Sequence, residues 1–185
     1  MTENRIGVFG AGSLVGERLL LLLAESSARV FAYYRQKHER NETNIEWLCL
    51  SYPQPNQHAI HSWFCLAPIW ILPDYFSFLE QHQVRRVVAL SSTSRFSKLN
   101  SSDPEEQVMV KQLIAAEERL QIWAESKAID WIILRPTLIY GYGRDKNITE
   151  IARFIKRFGF FPVFGKAQGL RQPVHAEDVA QACIA

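Results

Sequence analysis

Residues 5–16 read RIGVFGAGSLVG, and this stretch decides the fold. Ile6 to Phe9 is an apolar run of strand length, and the residues from Leu14 to Ala24, LVGERLLLLLA, have the length and composition of a helix. Gly10, Gly12 and Gly16 mark the handover between them. Glycine permits a tight turn there, and the third glycine lets the helix lie close on the strand. The spacing departs from the usual pattern, because three residues separate Gly12 from Gly16 and Ser13 stands where a further glycine is common.

Working outward, the same alternation repeats. Val30 to Tyr34 reads as a strand, Trp63 to Ala67 as a strand followed by a helix from Asp74 to Gln81, and Val87 to Leu90 as a strand. A long helix from Pro104 to Ser126 has Asp103 as N-cap, Pro104 in its first position and Glu106 at the capping-box position, with Val110, Leu113, Leu120 and Trp123 on its apolar face. Trp131 to Leu134 reads as another buried strand, and a helix from Ile148 to Phe158 starts behind Asn147 and stops at Gly159. Continuous apolar strands alternating with helices belong to a parallel sheet covered on both faces. The fold class is α/β, a doubly wound parallel sheet of Rossmann type.

In that context the glycine turn acquires a chemical meaning. A pyrophosphate approaches glycine without a Cβ in the way, and the first N–H groups of the helix are free to donate to it at the positive end of the dipole. The segment Gly10, Ala11, Gly12, Ser13, Leu14, Val15 and Gly16 is therefore read as binding NADP(H) or NAD(H). NAD-preferring sites usually carry an acid at the end of the second strand. Here that strand ends in Arg35, with Lys37 beyond it, and both cations suit a 2′-phosphate, so NADP(H) is the preferred cofactor. Ala67 and Pro68, after the fourth expected strand, border the same cofactor path.

Composition limits the alternatives. Of 185 residues 48% are hydrophobic and 22% charged, the balance of a folded domain, and a net charge of +2 with scattered Lys and Arg gives no nucleic-acid footprint. Cys49, Cys65 and Cys183 are few and far apart, which suggests neither a disulfide framework nor a metal site. The window from Ala59 to Leu79 is broken by His61, Pro68, Pro73 and Asp74, so no membrane span is expected. MTENRIGVFG lacks a basic start followed by an apolar stretch, and the expected location is cytoplasmic.

FGAGSLVG, VVALSSTSRF, LRPTLIYGYG and RQPVHAEDVA occur in this order along nearly the whole chain. In them the sequence resembles the short-chain dehydrogenase/reductase superfamily, in its extended and atypical branch of NAD(P)-dependent epimerase/dehydratase-like proteins. The resemblance implies a Ser or Thr hydroxyl after the fifth strand and a Tyr-x-x-x-Lys pair on the next helix, which together handle the proton accompanying hydride transfer. Thr93, or Ser92 beside it, matches the hydroxyl, and Ser91 falls at the cofactor. No tyrosine occurs between Val84 and Asp130; aligning Ala116-Glu117 with the family's pattern puts Lys111 and Ala115 at the Tyr and Lys positions. Lys111 becomes a candidate acid or base if desolvated. Arg135, Pro136 and Thr137 match the segment against the nicotinamide, while Tyr140 and Tyr142 suit either packing or the cofactor. His175, Glu177 and Asp178 are read as structural, docking the last segment.

Two roles follow: an NADP(H)-dependent oxidoreductase or epimerase/dehydratase relative acting on an unidentified small molecule, or a dinucleotide-binding sensor, scaffold or assembly protein. The final helix has no stop signal before Ala185, so residues 1–185 are expected to form the dinucleotide-binding domain with an incomplete or absent C-terminal substrate-binding portion. Apolar surface near Phe160, Phe161 and Phe164 would then be exposed or covered by a second copy in a homodimer.

Overall fold

The computed structural model describes residues 4–34, 44–50, 59–145, 147–162 and 172–185. Six parallel strands form one sheet: β1 (Arg5–Phe9), β2 (Arg29–Tyr34), β3 (Ile45–Cys49), β4 (Ser62–Cys65), β5 (Arg86–Leu90) and β6 (Asp130–Leu134), in the order β3-β2-β1-β4-β5-β6. The chain runs outward from β1 on one side and from β4 on the other. The carboxyl ends of β1 and β4 therefore flank the crevice where an open α/β sheet binds its ligand.

Every inner strand is apolar on both faces, with the side-chain period of two sorting residues between two cores. Ile6, Val8, Val30, Ala32, Phe64, Val88 and Leu90 share one core with α1 (Leu14–Ala24) and α6 (Ala176–Ile184). Phe9, Phe31, Tyr33, Trp63, Cys65, Val87 and Ala89 share the other with a 3-10 helix (Ile69–Tyr75), α2 (Phe76–Gln81) and α4 (Pro104–Ser126). Gly7 has a steric reason: a Cβ there would lie 2.3 Å from the Trp63 ring. The remaining elements are α3 (Ser94–Ser97), α5 (Ile148–Phe158) and a small parallel pair, β7 (Ile139–Tyr140) with β8 (Val174–His175).

The expected elements occur, with four corrections. The strand β3 was not foreseen, although IEWLC opens β-branched and pairs along all of its length with β2. Trp131 to Leu134, expected to be buried, belongs to β6 at the sheet edge, where Ile132 is 52% exposed; an apolar run alone does not reveal whether a neighbour covers it. The helix expected from Asp74 begins as a 3-10 helix containing Pro73, whose missing N–H cannot join an α-helical ladder. At the start of α5, Asn147 makes no side-chain cap bond; Asp145 takes that role, accepting from the N–H groups of Asn147 at 3.2 Å and Thr149 at 2.9 Å. In α4, by contrast, the Asp103 side chain caps Glu105 N–H as expected, while Glu106 reaches Lys98 and Ser101.

Candidate functional site

The turn after β1 is held by close backbone approaches. Gly10 has φ +77°, and a Cβ on it would lie 2.4 Å from the Ala67 nitrogen; a Cβ on Gly16 would lie 2.3 Å from the Gly10 carbonyl oxygen. No side chain fits at either place without moving backbone. Ser13 explains the unusual spacing: it is the N-cap of α1, its Oγ accepting from Gly16 N–H at 3.0 Å while its own N–H donates to the Gly10 carbonyl at 2.9 Å. Leu14 and Val15, in the first turn, have no helical carbonyl one turn behind them. Ala11 is fully buried beneath the turn.

A cavity of about 660 Å³ opens over this turn, walled by Gly10, Gly12, Ser13, Ala67 and Pro68 and, toward β2 and β3, by Tyr33, Tyr34 and Leu50. A second cavity of about 560 Å³ shares Ser13, Leu66, Ala67 and Pro68 with the first and continues past Leu14 and Val15 to Ser91, Ser92, Met109 and Leu113. Together they form one continuous cleft along the carboxyl ends of β1, β4 and β5. Gly10, Gly12, Ser13, Leu14, Val15, Ala67, Pro68, Ser91 and Ser92, all singled out in the sequence, lie along it. Arg35 and Lys37 fall outside the described residues.

The three strand-end hydroxyls donate inside the protein. Ser91 Oγ donates to Glu117, Ser92 Oγ to Ser94 Oγ at 3.1 Å, and Thr93 Oγ1 to the Pro136 carbonyl at 3.4 Å. Glu117, in the sequence only a landmark of the family's pattern, has a role that sequence reasoning missed. It is 2% exposed, and its carboxylate accepts from Ser91, from Arg95, and from both Nε and Nη2 of Arg135, the latter at 2.6 Å. Burial works to raise its pKa, but hydrogen bonds from Arg135, Ser91 and Arg95 outweigh it and hold the carboxyl below the ordinary glutamate value. The Arg135 side chain is thus committed to an ion pair behind the cleft wall; Pro136 accepts from Thr93, and Thr137 bonds the Gln172 carbonyl.

The register of α4 turns the expected proton-transfer positions away from the cleft. Lys111 and Ala115 are exposed, while Met109 and Leu113, two residues earlier and also spaced i, i+4, line the cleft. Two residues on a helix are about 200° of rotation, so a two-residue shift sends side chains to the opposite face. The face that meets the cleft carries a thioether and an isobutyl group, neither of which ionises.

Tyr140 and Tyr142 serve as packing residues. Both rings lie against His175, the Arg18 guanidinium sits 3.8 Å from the Tyr142 ring centre, and the Tyr142 hydroxyl donates to Glu177 at 2.8 Å. That bond to a carboxylate raises the phenol pKa. His175 Nδ1 accepts from Glu177 N–H at 3.3 Å as the N-cap of α6, the structural role expected of it. Burial pushes the Cys65 thiol up to about 12 and Cys183 to about 11, so both stay protonated near neutrality. Among the described residues no cluster of His, Cys, Asp or Glu suits a metal ion, and no helix is long and apolar enough to cross a membrane.

A strand order reversing beside a glycine turn, with a helix N-terminus facing the crevice, defines a doubly wound α/β protein of the Rossmann class. The chain belongs to the NAD dependent epimerase/dehydratase family, whose model matches residues 74–185. No curated protein matches it. Among solved structures, UDP-N-acetylglucosamine 4-epimerase from Bacillus cereus aligns over 97% of this chain and 70% of its own, at 17% identity and TM-score 0.74. A mutant UDP-glucuronic acid 4-epimerase from the same organism, in complex with a fluorinated UDP-glucuronic acid and NAD, aligns over 97% and 72%, at 12% identity and TM-score 0.75. Vestitone reductase from alfalfa aligns over 97% and 71%, at 17% identity and TM-score 0.62. These likenesses establish the shared fold.

Proposed function

We propose that this protein binds a nicotinamide dinucleotide along the β1/β4 crevice and is an oxidoreductase or epimerase/dehydratase relative that works without the usual tyrosine and lysine. The observation that supports the binding is the cleft lined by Gly10, Gly12 and Ser13 at the start of α1, beside the point where the strand order reverses between β1 and β4. The Gly10–Val15 backbone and the first turn of α1 would hold the pyrophosphate, the Tyr33, Tyr34 and Leu50 end the adenosine, and the Ala67-Pro68 and Ser91 side the nicotinamide half. A bound dinucleotide supplies a carbon that accepts or gives hydride. The preference for NADP(H) rests on Arg35 and Lys37 in the sequence.

A second reading, a dinucleotide-dependent sensor or assembly protein without turnover, is favoured by one observation: Met109 and Leu113 occupy the α4 positions facing the cleft. Calorimetry with NADPH and NADH tests the common claim. NADPH should bind more tightly, and Gly10→Val should abolish the heat; absence of heat from either dinucleotide at millimolar concentration refutes it. Following nicotinamide absorbance with aldehydes, ketones and nucleotide sugars then separates the readings, since sustained turnover of any of them excludes the sensor.

A further inference from the structure

The second cavity has walls unsuited to a sugar. Beyond the glycine turn its lining includes Ile69, Trp70, Leu90, Met109, Leu113 and Ile139. Ile69, Leu90 and Leu113 are buried, and Trp70 is 38% exposed. Most of the polar groups nearby are already engaged within the protein, the exposed Asn147 amide excepted. Ser91 donates to Glu117 and Ser92 to Ser94; Arg144 is paired with Glu17; Asp145 accepts from Gly141, Asn147 and Thr149.

A hexose carries several hydroxyls, and each one buried without a partner forfeits the hydrogen bonds it made with water. A site with few open partners discriminates against such a ligand, whereas an apolar ring sacrifices nothing on entering. The whole cavity, about 560 Å³, includes the Ala67, Pro68 and Ser91 side given to the nicotinamide half, and the end between Trp70 and the α4 stripe is what is left for a small second ligand. Met109 adds a polarizable thioether and Trp70 an aromatic face, both of which favour a flat ring.

Building on the dinucleotide reading, we infer that the second cavity takes an uncharged, flat aromatic molecule of about two fused rings, seated between Trp70 and the Met109–Leu113 stripe, in place of a nucleotide sugar. The probe is 2-acetylnaphthalene, compared with UDP-glucose by calorimetry and saturation-transfer NMR on the whole chain, with and without saturating NADPH. The ketone should bind with a dissociation constant on the order of 100 micromolar in both conditions, and UDP-glucose more weakly. Trp70→Ala and Met109→Gln, at positions that are not fully buried, should each weaken the ketone at least about fivefold, and Trp70→Ala should leave the NADPH heat unchanged. The inference is overturned if the ketone does not bind, if UDP-glucose binds more tightly, if NADPH displaces the ketone, or if neither substitution weakens it. A failure of NADPH to bind while the ketone retains its sensitivity to Trp70 and Met109 would refute the dinucleotide reading and leave the aromatic site standing.

Discussion

Glu117 shows at the scale of one residue how a buried charge is tolerated. Its carboxylate is 2% exposed, yet it gathers two guanidiniums and a hydroxyl from α3, from the end of β6 and from the strand-end loop. Breaking such a cluster from the centre leaves two partly exposed arginines facing each other. Glu117→Ala should cost about 3 kcal/mol, the lower end of the range for an interrupted buried pair because both arginines can turn toward water. Glu117→Gln should cost less, and urea titrations of both variants check the order. The depressed pKa carries a sign: this stabilisation is fully present above the unfolded carboxyl pKa of about 4.3 and is lost as pH falls through the lower folded value. Stability of the wild type should therefore drop more steeply below about pH 4 than that of Glu117→Gln. Ala116-Glu117 served only as a landmark in the family's pattern, and nothing local in the sequence gave Glu117 its ion pairs, since its partners lie 18 to 26 positions away. Gly10 was legible for the opposite reason: a glycine between strand and helix announces its backbone requirement in its own neighbourhood.

At the scale of elements, the ends and the buried face of α4 were legible, Val110, Leu113, Leu120 and Trp123 being buried as expected, while the starts of α2 and α5 were not. Asp103, Gly159 and the span Pro104–Ser126 follow from capping and proline rules that act within one turn. Which α4 positions meet the cleft depends on the sheet beneath it: Lys111 and Ala115, where the resemblance put the Tyr and Lys positions, are exposed, and Met109 and Leu113 line the cleft. The consequence can be measured. Lys111→Ala should leave dinucleotide binding and any turnover within about twofold of wild type, and change stability by less than about 0.5 kcal/mol. A large loss of turnover in Lys111→Ala would restore that side chain as the proton donor. The start of α5 offers a parallel case. Asp145 accepts from Thr149 Oγ1 and from the N–H groups of Gly141, Asn147 and Thr149, which together draw its carboxyl well below the usual range against the desolvation that opposes them. Asp145→Ala should cost about 1 kcal/mol, the worth of a good cap, and amide exchange should accelerate first in the opening turn of α5. Unchanged exchange there would mean the turn is held by other contacts.

For the whole molecule, the doubly wound parallel sheet followed from the β-then-α alternation, but the order of its strands and the helix that the last element packs on did not. The resemblance read HAEDVA as docking the last segment onto the sheet, without naming the helix it meets there. In the structure Ala176, Val179, Ala180 and Cys183 are buried in the same core as Val15, Leu19, Leu20 and Leu23 of α1, and through them against Ile6, Val8 and Phe64. Ala176 and Ala180 are fully buried, small enough to let α6 lie close to α1. The helix whose N-terminus faces the crevice is thus braced from behind by the last element of the chain. Val179→Ala removes two methyl groups from that contact and should cost about 2 kcal/mol, which for a protein of this size lowers Tm by roughly 4 to 8 °C. Ala180→Arg, forcing a long cation between two helices, should do more damage and weaken dinucleotide binding by displacing α1. Ile122→Ser is the control, because Ile122 is 69% exposed on the outer side of α4 and its replacement should move Tm by no more than about 2 °C. Calorimetric scans with and without NADPH compare the three. If Val179→Ala and Ile122→Ser shift Tm equally, α6 unfolds apart from the sheet, and the bracing of the glycine turn must come from the strands alone.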